Sequence, residues 1–231
     1  MDFSHFDARK YPTVGVEEGY SEWAATYEDI VMDAMDLRLL GRIQSVAWQR
    51  VSVAADLACG TGRIGMWLTQ HGVGAVDGVD LTAAMLDGAR AKGVYRQLFQ
   101  ADVRATPLPI ATYDLVSVVL ADEHLSAVAP LYAEAARITR PGGQFVLVGY
   151  HPFFMLSGIP THFNQASGEP ATIECYVHLF SDHVAAALAN GWTLREMHEG
   201  LIDDDWLAVK PKWVKYANRP VSYALVWEKQ L

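Results

Sequence analysis

The sequence predicts an α/β fold: a doubly wound, largely parallel sheet with helices on both faces, built as one domain. Three observations predict it. Short apolar runs alternate with stretches of helical period from about residue 51 to residue 150, the rhythm of successive βαβ units. Leu115, Val116, Val118, Val119 and Leu120 are apolar with almost no alternation, as in a strand covered on both sides. The first apolar run, 51–56, ends in an acid and a glycine-rich turn that opens a helix.

The elements follow in order. Tyr20, Trp23, Ala24, Tyr27, Ile30, Val31, Ala34 and Met35 recur at steps of three and four, which predicts an amphipathic helix with an aromatic face. Strands are expected at 51–56, 75–80, 95–101, 113–120 and 144–150, with helices at 63–70, 83–91 and 128–139. Arg140-Pro141-Gly142-Gly143 is a strong stop before the fifth strand. The rhythm then breaks. Residues 151–180 carry Pro, Gly, Met and aromatics without a clear period and predict a lid or insertion. Ser181 can cap a helix through Asn190 that Gly191 ends. Two final strands, 192–200 and 221–229, are separated by a second irregular insertion at 201–219. The expected organisation is a helical lid at 1–45, a core at 46–150, and two insertions at one rim.

Composition narrows the function. The chain has 231 residues, 51% of them apolar and 19% charged, with a formal net charge of −9. This is an ordinary globular balance. No cluster of Lys and Arg is present to neutralise phosphates, which argues against a nucleic-acid partner, and an acidic chain is poorly suited to anionic membranes. Two cysteines, Cys59 and Cys175, are too few for a disulfide framework. The opening residues lack the basic flank and apolar stretch of a signal peptide, and no window spans a bilayer. A cytoplasmic protein is expected.

The chemistry centres on Asp56-Leu57-Ala58-Cys59-Gly60-Thr61-Gly62-Arg63-Ile64-Gly65. Gly60-x-Gly62-x-x-Gly65 matches the dinucleotide fingerprint, a weak signal alone. Such glycines let the backbone turn after a strand and approach a ligand at a helix N-terminus. Asp56, four residues before Gly60, is a carboxylate where a pyrophosphate site would not want one. Asp80 ends the second strand and can accept two hydrogen bonds from a ribose diol. Asp102 ends the third and can accept from an adenine amino group. Each alone could be a loop acid or a cap; together they line one rim of the sheet.

Asp56-x-x-x-Gly60-x-Gly62, Val79-Asp80-Leu81-Thr82-x-x-Met85-Leu86, Ala101-Asp102, Tyr113-Asp114-Leu115-Val116 and Arg140-Pro141-Gly142-Gly143 resemble the ordered motifs of class I S-adenosylmethionine-dependent methyltransferases. The resemblance implies a Rossmann-like sheet of seven strands, mostly parallel, with the last antiparallel. It implies S-adenosylmethionine as cofactor, with Gly60 and Gly62 beside its methionine part, Asp56 orienting its amino group directly or through water, and Ala58 among the cofactor-binding residues. Asp80 would hold the ribose hydroxyls, Asp102 the adenine amino group, and Leu81 and Val103 the adenine faces. Met85 belongs to the same set, Ala121 would flank the sulfonium, and Tyr20 and Tyr27 would close over the cofactor or simply pack in the core. Asp114 and the 140–143 turn are structural on this reading.

A sulfonium methyl is already activated, so transfer needs alignment and exclusion of water, with a base only where the acceptor must lose a proton. His124, in Asp122-Glu123-His124 after the fourth strand, is the first candidate for base or acceptor-orienting group, and His151 after the fifth is the second. Either could instead cap or pack. No metal is expected, because the acid-rich pattern of catechol-type methyltransferases is not evident after the fourth strand. The aromatic insertion at 151–180 points to an enclosed apolar pocket for a small-molecule acceptor, such as a secondary metabolite or cofactor precursor, or to an oligomer interface; a monomer or homodimer is expected. The alternatives are an NAD-dependent oxidoreductase using the literal glycine fingerprint, and a non-catalytic cofactor-binding relative.

Overall fold

The computed structural model describes residues 1–30 and 34–230. Among the described residues ten strands form two sheets: β1 (Thr13–Val14), β2 (Val53–Leu57), β3 (Ala75–Asp80), β4 (Gln97–Gln100), β5 (Tyr113–Val119), β6 (Thr139–Tyr150), β7 (His162–Asn164), β8 (Pro170–Ile173), β9 (Trp192–Leu201) and β10 (Pro220–Lys229). The large sheet has the order β4-β3-β2-β5-β6-β10-β9. β10 runs antiparallel to both β6 and β9, while the pairs from β4 to β6 are parallel. The seven-stranded sheet with a reversed last strand is therefore present.

Alternation along the central strands sends side chains to two core layers. Ala54, Val76, Leu115 and Val146 pack with Ile64, Leu68 and Leu40 on one face. Ala55, Val79, Val116 and Leu147 pack with Leu131, Ala135 and Ile138 on the other. The helices Arg63–Gln70, Ala83–Lys92, Ala129–Ile138 and Phe180–Ala189 connect the strands. Asp114 lies where it was expected to act structurally: its carboxylate accepts from the amides of Ser52 and Val53 at 2.7 and 3.0 Å and pairs with Arg140 at 2.6 Å. The 140–143 turn is a bulge inside β6, since Tyr113 pairs Thr139 while Leu115 pairs Gln144.

Two expectations change. The leading segment is not one continuous helix. Val16–Trp23 tightens into a 3-10 turn at Ala24–Thr26 and resumes at Tyr27–Ile30; Val31 lies outside the described residues. The Tyr20 and Tyr27 rings lie 6.1 Å apart, with Trp23 stacked between Tyr20 and Phe163 at 5.8 and 5.7 Å. The 151–180 insertion is ordered too. After a short helix, Pro152–Leu156, β7 and β8 join β1 in a three-stranded sheet of order β1-β8-β7, which fastens the N-terminal segment to the insertion. No helix among the described residues is long and apolar enough to cross a membrane.

Glu196 on β9 ties that edge to the chain entering β2. It accepts from the amide of Ser45 at 2.7 Å, the amide of Gln44 at 3.0 Å and His198 Nε2 at 2.6 Å. Partial burial pushes its carboxyl up, but these donors outweigh burial and hold it at about 2. A depressed folded-state value contributes stability above the unfolded value near 4.5, and that contribution is lost as pH falls toward 2. Glu196→Gln is expected to flatten this part of the stability profile, measured as urea midpoint between pH 5 and 2.5. An unchanged profile would exclude Glu196 as its source.

Candidate active site

The chain runs from β2 outward to β3 and β4, then crosses back to β5, so the strand order reverses between β2 and β5. Ligands of doubly wound sheets bind at the carboxyl ends beside such a reversal. A cavity of about 580 Å³ opens there, within the usual range of small-molecule sites. Ala58 and Gly60 line it from the end of β2, Asp80, Leu81 and Met85 from β3 and beyond, Asp102 and Val103 from β4, and Ala121 and His124 from β5. Tyr20 and Tyr27 close it from the lid.

The backbone around the cavity is unusual in one respect. Ala58 (φ +56°) and Leu120 (φ +54°) are non-glycine residues in the left-handed region at the ends of β2 and β5. Each costs roughly 1–2 kcal/mol, and strain of this kind gathers where a site must be shaped. Gly60 has φ +53° and donates its amide to Asp80 Oδ2 at 2.8 Å, while the Thr82 amide donates to Oδ1 at 2.8 Å. Asp80 is thus fixed by one backbone donor on each oxygen and keeps further lone pairs. Burial raises its carboxyl pKa, against those two amides. Asp102 sits at the rim, gripped by the Arg104 guanidinium at 2.6–3.0 Å, a partner its position in the sequence did not reveal.

Two of the expected cofactor residues do not reach the cavity. Asp56 is buried beneath the loop, where it accepts from Tyr95 Oη at 2.7 Å and Ser117 Oγ at 2.8 Å. Burial raises its carboxyl to about 6, against those two donors. Gly62 (φ +89°) forms the turn into the helix Arg63–Gln70 and donates to the Cys59 carbonyl at 2.9 Å.

The two histidines part company. His151 caps the helix Pro152–Leu156: its Nδ1 accepts from the Phe153 amide at 3.1 Å and its Nε2 meets Glu199 at 3.0 Å. It lines no cavity described here, so its expected place beside the acceptor is corrected to a helix cap. His124 does line the large cavity. Its Nδ1 lies 2.7 Å from the Glu174 carbonyl, which can only accept, so Nδ1 carries the proton. Its Nε2 therefore accepts from Tyr20 Oη at 2.8 Å. Burial lowers His124 to about 4, against that carbonyl, so the ring is neutral at pH 7 and its basic nitrogen is already occupied.

Beyond Tyr20, Tyr27 and Leu120, which line both spaces, lies a second cavity of about 110 Å³. Glu123 reaches it, as do Lys210 and Trp213 from the second insertion. Glu123 was legible only as the neighbour of His124; in the 3-10 turn Asp122–His124 the two side chains serve different cavities. Tyr95, which braces the glycine loop, left no local signal at all.

Residues 55–147 match a protein family described as a methyltransferase domain. The chain is 29% identical to a demethylmenaquinone methyltransferase of Thermus thermophilus, over 58% of this chain and 64% of that protein. It is 31% identical to a malonyl-[acyl-carrier protein] O-methyltransferase of Serratia marcescens, over 55% of this chain and 49% of that one. The chain thus spans from about a third to just under two thirds of the curated relatives it matches. Among solved structures, an S-adenosylmethionine-dependent methyltransferase from Mesorhizobium loti superposes with a TM-score of 0.68 at 23% identity, covering 87% of this chain and 99% of that one. The [4+2]-cyclase SpnF does so with 0.65 at 15% identity, covering 96% and 99%; both likenesses concern the fold. Domain, motifs and topology agree: residues 55–147 carry a methyltransferase domain, set in a fold shared with S-adenosylmethionine-dependent methyltransferases.

Proposed function

We propose that this protein transfers the methyl group of S-adenosylmethionine to a small-molecule acceptor. The observation that carries the reading is the charge and shape of the large cavity. Glu17, Glu18, Asp80, Asp102 and Glu174 line it against a single guanidinium, Arg104, itself bonded to Asp102. An acidic lining favours a cationic ligand such as a sulfonium and repels a pyrophosphate. That is also the argument against a nicotinamide dinucleotide, which the glycine fingerprint alone would have allowed.

The residues present fit the cofactor. Asp80 would accept from the ribose hydroxyls with the lone pairs its backbone donors leave free. Leu81, 37% exposed in this structure, and Val103 would cover the adenine faces, with Asp102 at its amino group. Gly60 and Ala58 would lie along the methionine part, Met85 would pack behind the ribose side, and Ala121 would flank the sulfur. Bound there, the cofactor supplies an activated methyl group. The protein's own task is to hold the reactants in line and exclude water, which Tyr20 and Tyr27 perform from the lid. His124, its Nε2 occupied by Tyr20, is best read as the residue that positions Tyr20.

Two measurements test this. S-adenosylhomocysteine is expected to raise the melting temperature and NADH to leave it unchanged; stabilisation by NADH alone would overturn the assignment. Tyr20→Phe and His124→Ala are each expected to slow turnover by up to about tenfold, the scale of one hydrogen bond. The double variant should be no slower than the worse single one. Independent, additive losses would mean that His124 acts on its own.

A further inference from the structure

The smaller cavity, which shares Tyr20, Tyr27 and Leu120 with the large one, has the features of a binding site rather than a packing gap. Glu123 faces it at 3% exposure. Its Oε1 accepts from Thr161 Oγ1 at 3.4 Å, whereas its Oε2 has no hydrogen-bond partner. A buried carboxylate oxygen without a donor is costly, and burial raises the pKa of the carboxyl, which makes it a better proton acceptor. Nearby His124 offers no donor, because its Nε2 holds only a lone pair that Tyr20 already engages.

The rest of the chamber describes the missing partner. Phe154 stacks on Trp213 at 5.4 Å and 15°, and on Tyr150 at 6.3 Å and 11°. These rings make a flat apolar wall. A volume near 110 Å³ falls short of about 150 Å³, the size that accepts benzene, so a single-ring guest fills the space and must extend toward the large cavity past the shared residues Tyr20, Tyr27 and Leu120. Lys210 lines the same chamber as Glu123, with no anionic partner among the described residues. Burial lowers its ammonium pKa, as expected of a cation that awaits a counter-charge.

We propose that this chamber is the methyl-acceptor subsite, taking a single-ring acidic phenol or enol whose hydroxyl faces Glu123 Oε2 and whose anionic substituent faces Lys210. The assignment rests on the methyl-transfer reading. In the step, a lone pair of the acceptor oxygen forms the new bond to the methyl carbon, and the carbon–sulfur bond breaks with its pair left on sulfur. The hydroxyl proton passes to Glu123 Oε2, leaving S-adenosylhomocysteine and a methyl ether. Glu123 is then the base, a role that sequence reasoning gave to His124.

Calorimetric titration separates the claims. S-adenosylhomocysteine alone reports on the cofactor site. 4-Hydroxybenzoate, 4-methoxybenzoate and 4-hydroxybenzyl alcohol then probe the chamber, with and without that ligand. 4-Hydroxybenzoate is expected to bind at least tenfold more tightly than either of the others. Glu123→Gln should remove the preference for the hydroxyl over the methoxy compound and leave the S-adenosylhomocysteine affinity unchanged. Lys210→Met should remove the preference for the carboxylate over the alcohol. If the wild-type protein binds S-adenosylhomocysteine but none of the probes, or binds all three equally, the subsite is wrong while the methyl-transfer reading survives. Failure of S-adenosylhomocysteine to bind sinks the latter instead. The wild-type series decides the matter even if Glu123→Gln does not fold.

Discussion

Asp80→Ala is expected to weaken S-adenosylhomocysteine binding by at least about tenfold, because a hydrogen bond to a charged group contributes about 1.5–3 kcal/mol. The alanine variant removes two things at once. The amides of Gly60 and Thr82 lose the carboxylate that anchors them, so the glycine loop loosens together with the ribose contact. Asp80→Asn separates these effects. It keeps the side chain's volume and one acceptor oxygen while removing a charge that burial disfavours. Its NH2 must, however, face either the Gly60 or the Thr82 amide, from which it cannot accept, so its melting temperature should fall, though less than in the alanine variant. Its affinity should fall as well, since an amide cannot accept two diol protons on two oxygens; calorimetry beside thermal melts reads both. Unchanged affinity in both variants would mean that the diol sits elsewhere.

Much of this arrangement could be read in the sequence because it is local. The helix Arg63–Gln70 appears with the predicted bounds, and β3 likewise, since turn chemistry and apolar period agree at both ends. Asp80, Asp102 and Ala121 reach the cavity because the carboxyl end of a parallel strand faces the ligand rim whatever the rest of the chain does. Asp56 shares that strand-end position, and there the same logic failed. Its partners, Tyr95 and Ser117, lie 39 and 61 residues away, and no spacing announces that a carboxylate will turn under its loop to meet them. His151 precedes Pro152, a pair that reads as a helix start, so its capping role was present in the sequence but outweighed by its place after a strand. The β1–β8 pairing joins residues 13–14 to 172–173, a non-local contact that periodicity cannot register. For the same reason the insertion read as irregular chain.

Asp56 and Tyr95 lead to the second large effect, at the third glycine of the fingerprint. A Cβ at position 65 would lie 2.3 Å from Tyr95 Cζ and 2.4 Å from its Oη. The ring has little room to retreat, since a Cβ at position 62 or 78 would meet Tyr95 at 3.0 and 2.9 Å, so it lies across three glycines. Its hydroxyl donates to Asp56 and lies 3.2 Å from the Gly65 amide, from which it accepts. Gly65→Ala must therefore push the ring aside and strip a donor from a buried carboxyl. Overpacking costs about 1–3 kcal/mol and a lost buried partner about 1–3 kcal/mol, against about 1 kcal/mol gained from alanine's helix propensity. A net loss of about 3 kcal/mol is expected, or roughly 10 °C in melting temperature for a domain of this size. Tyr95→Leu in the same chain should recover part of it, because the clash disappears with the ring. If Gly65 instead served close approach of a ligand, the alanine variant would melt normally and lose affinity for S-adenosylhomocysteine. The opposite pattern, a large melting shift at nearly constant affinity, is what a glycine reserved for Tyr95 requires.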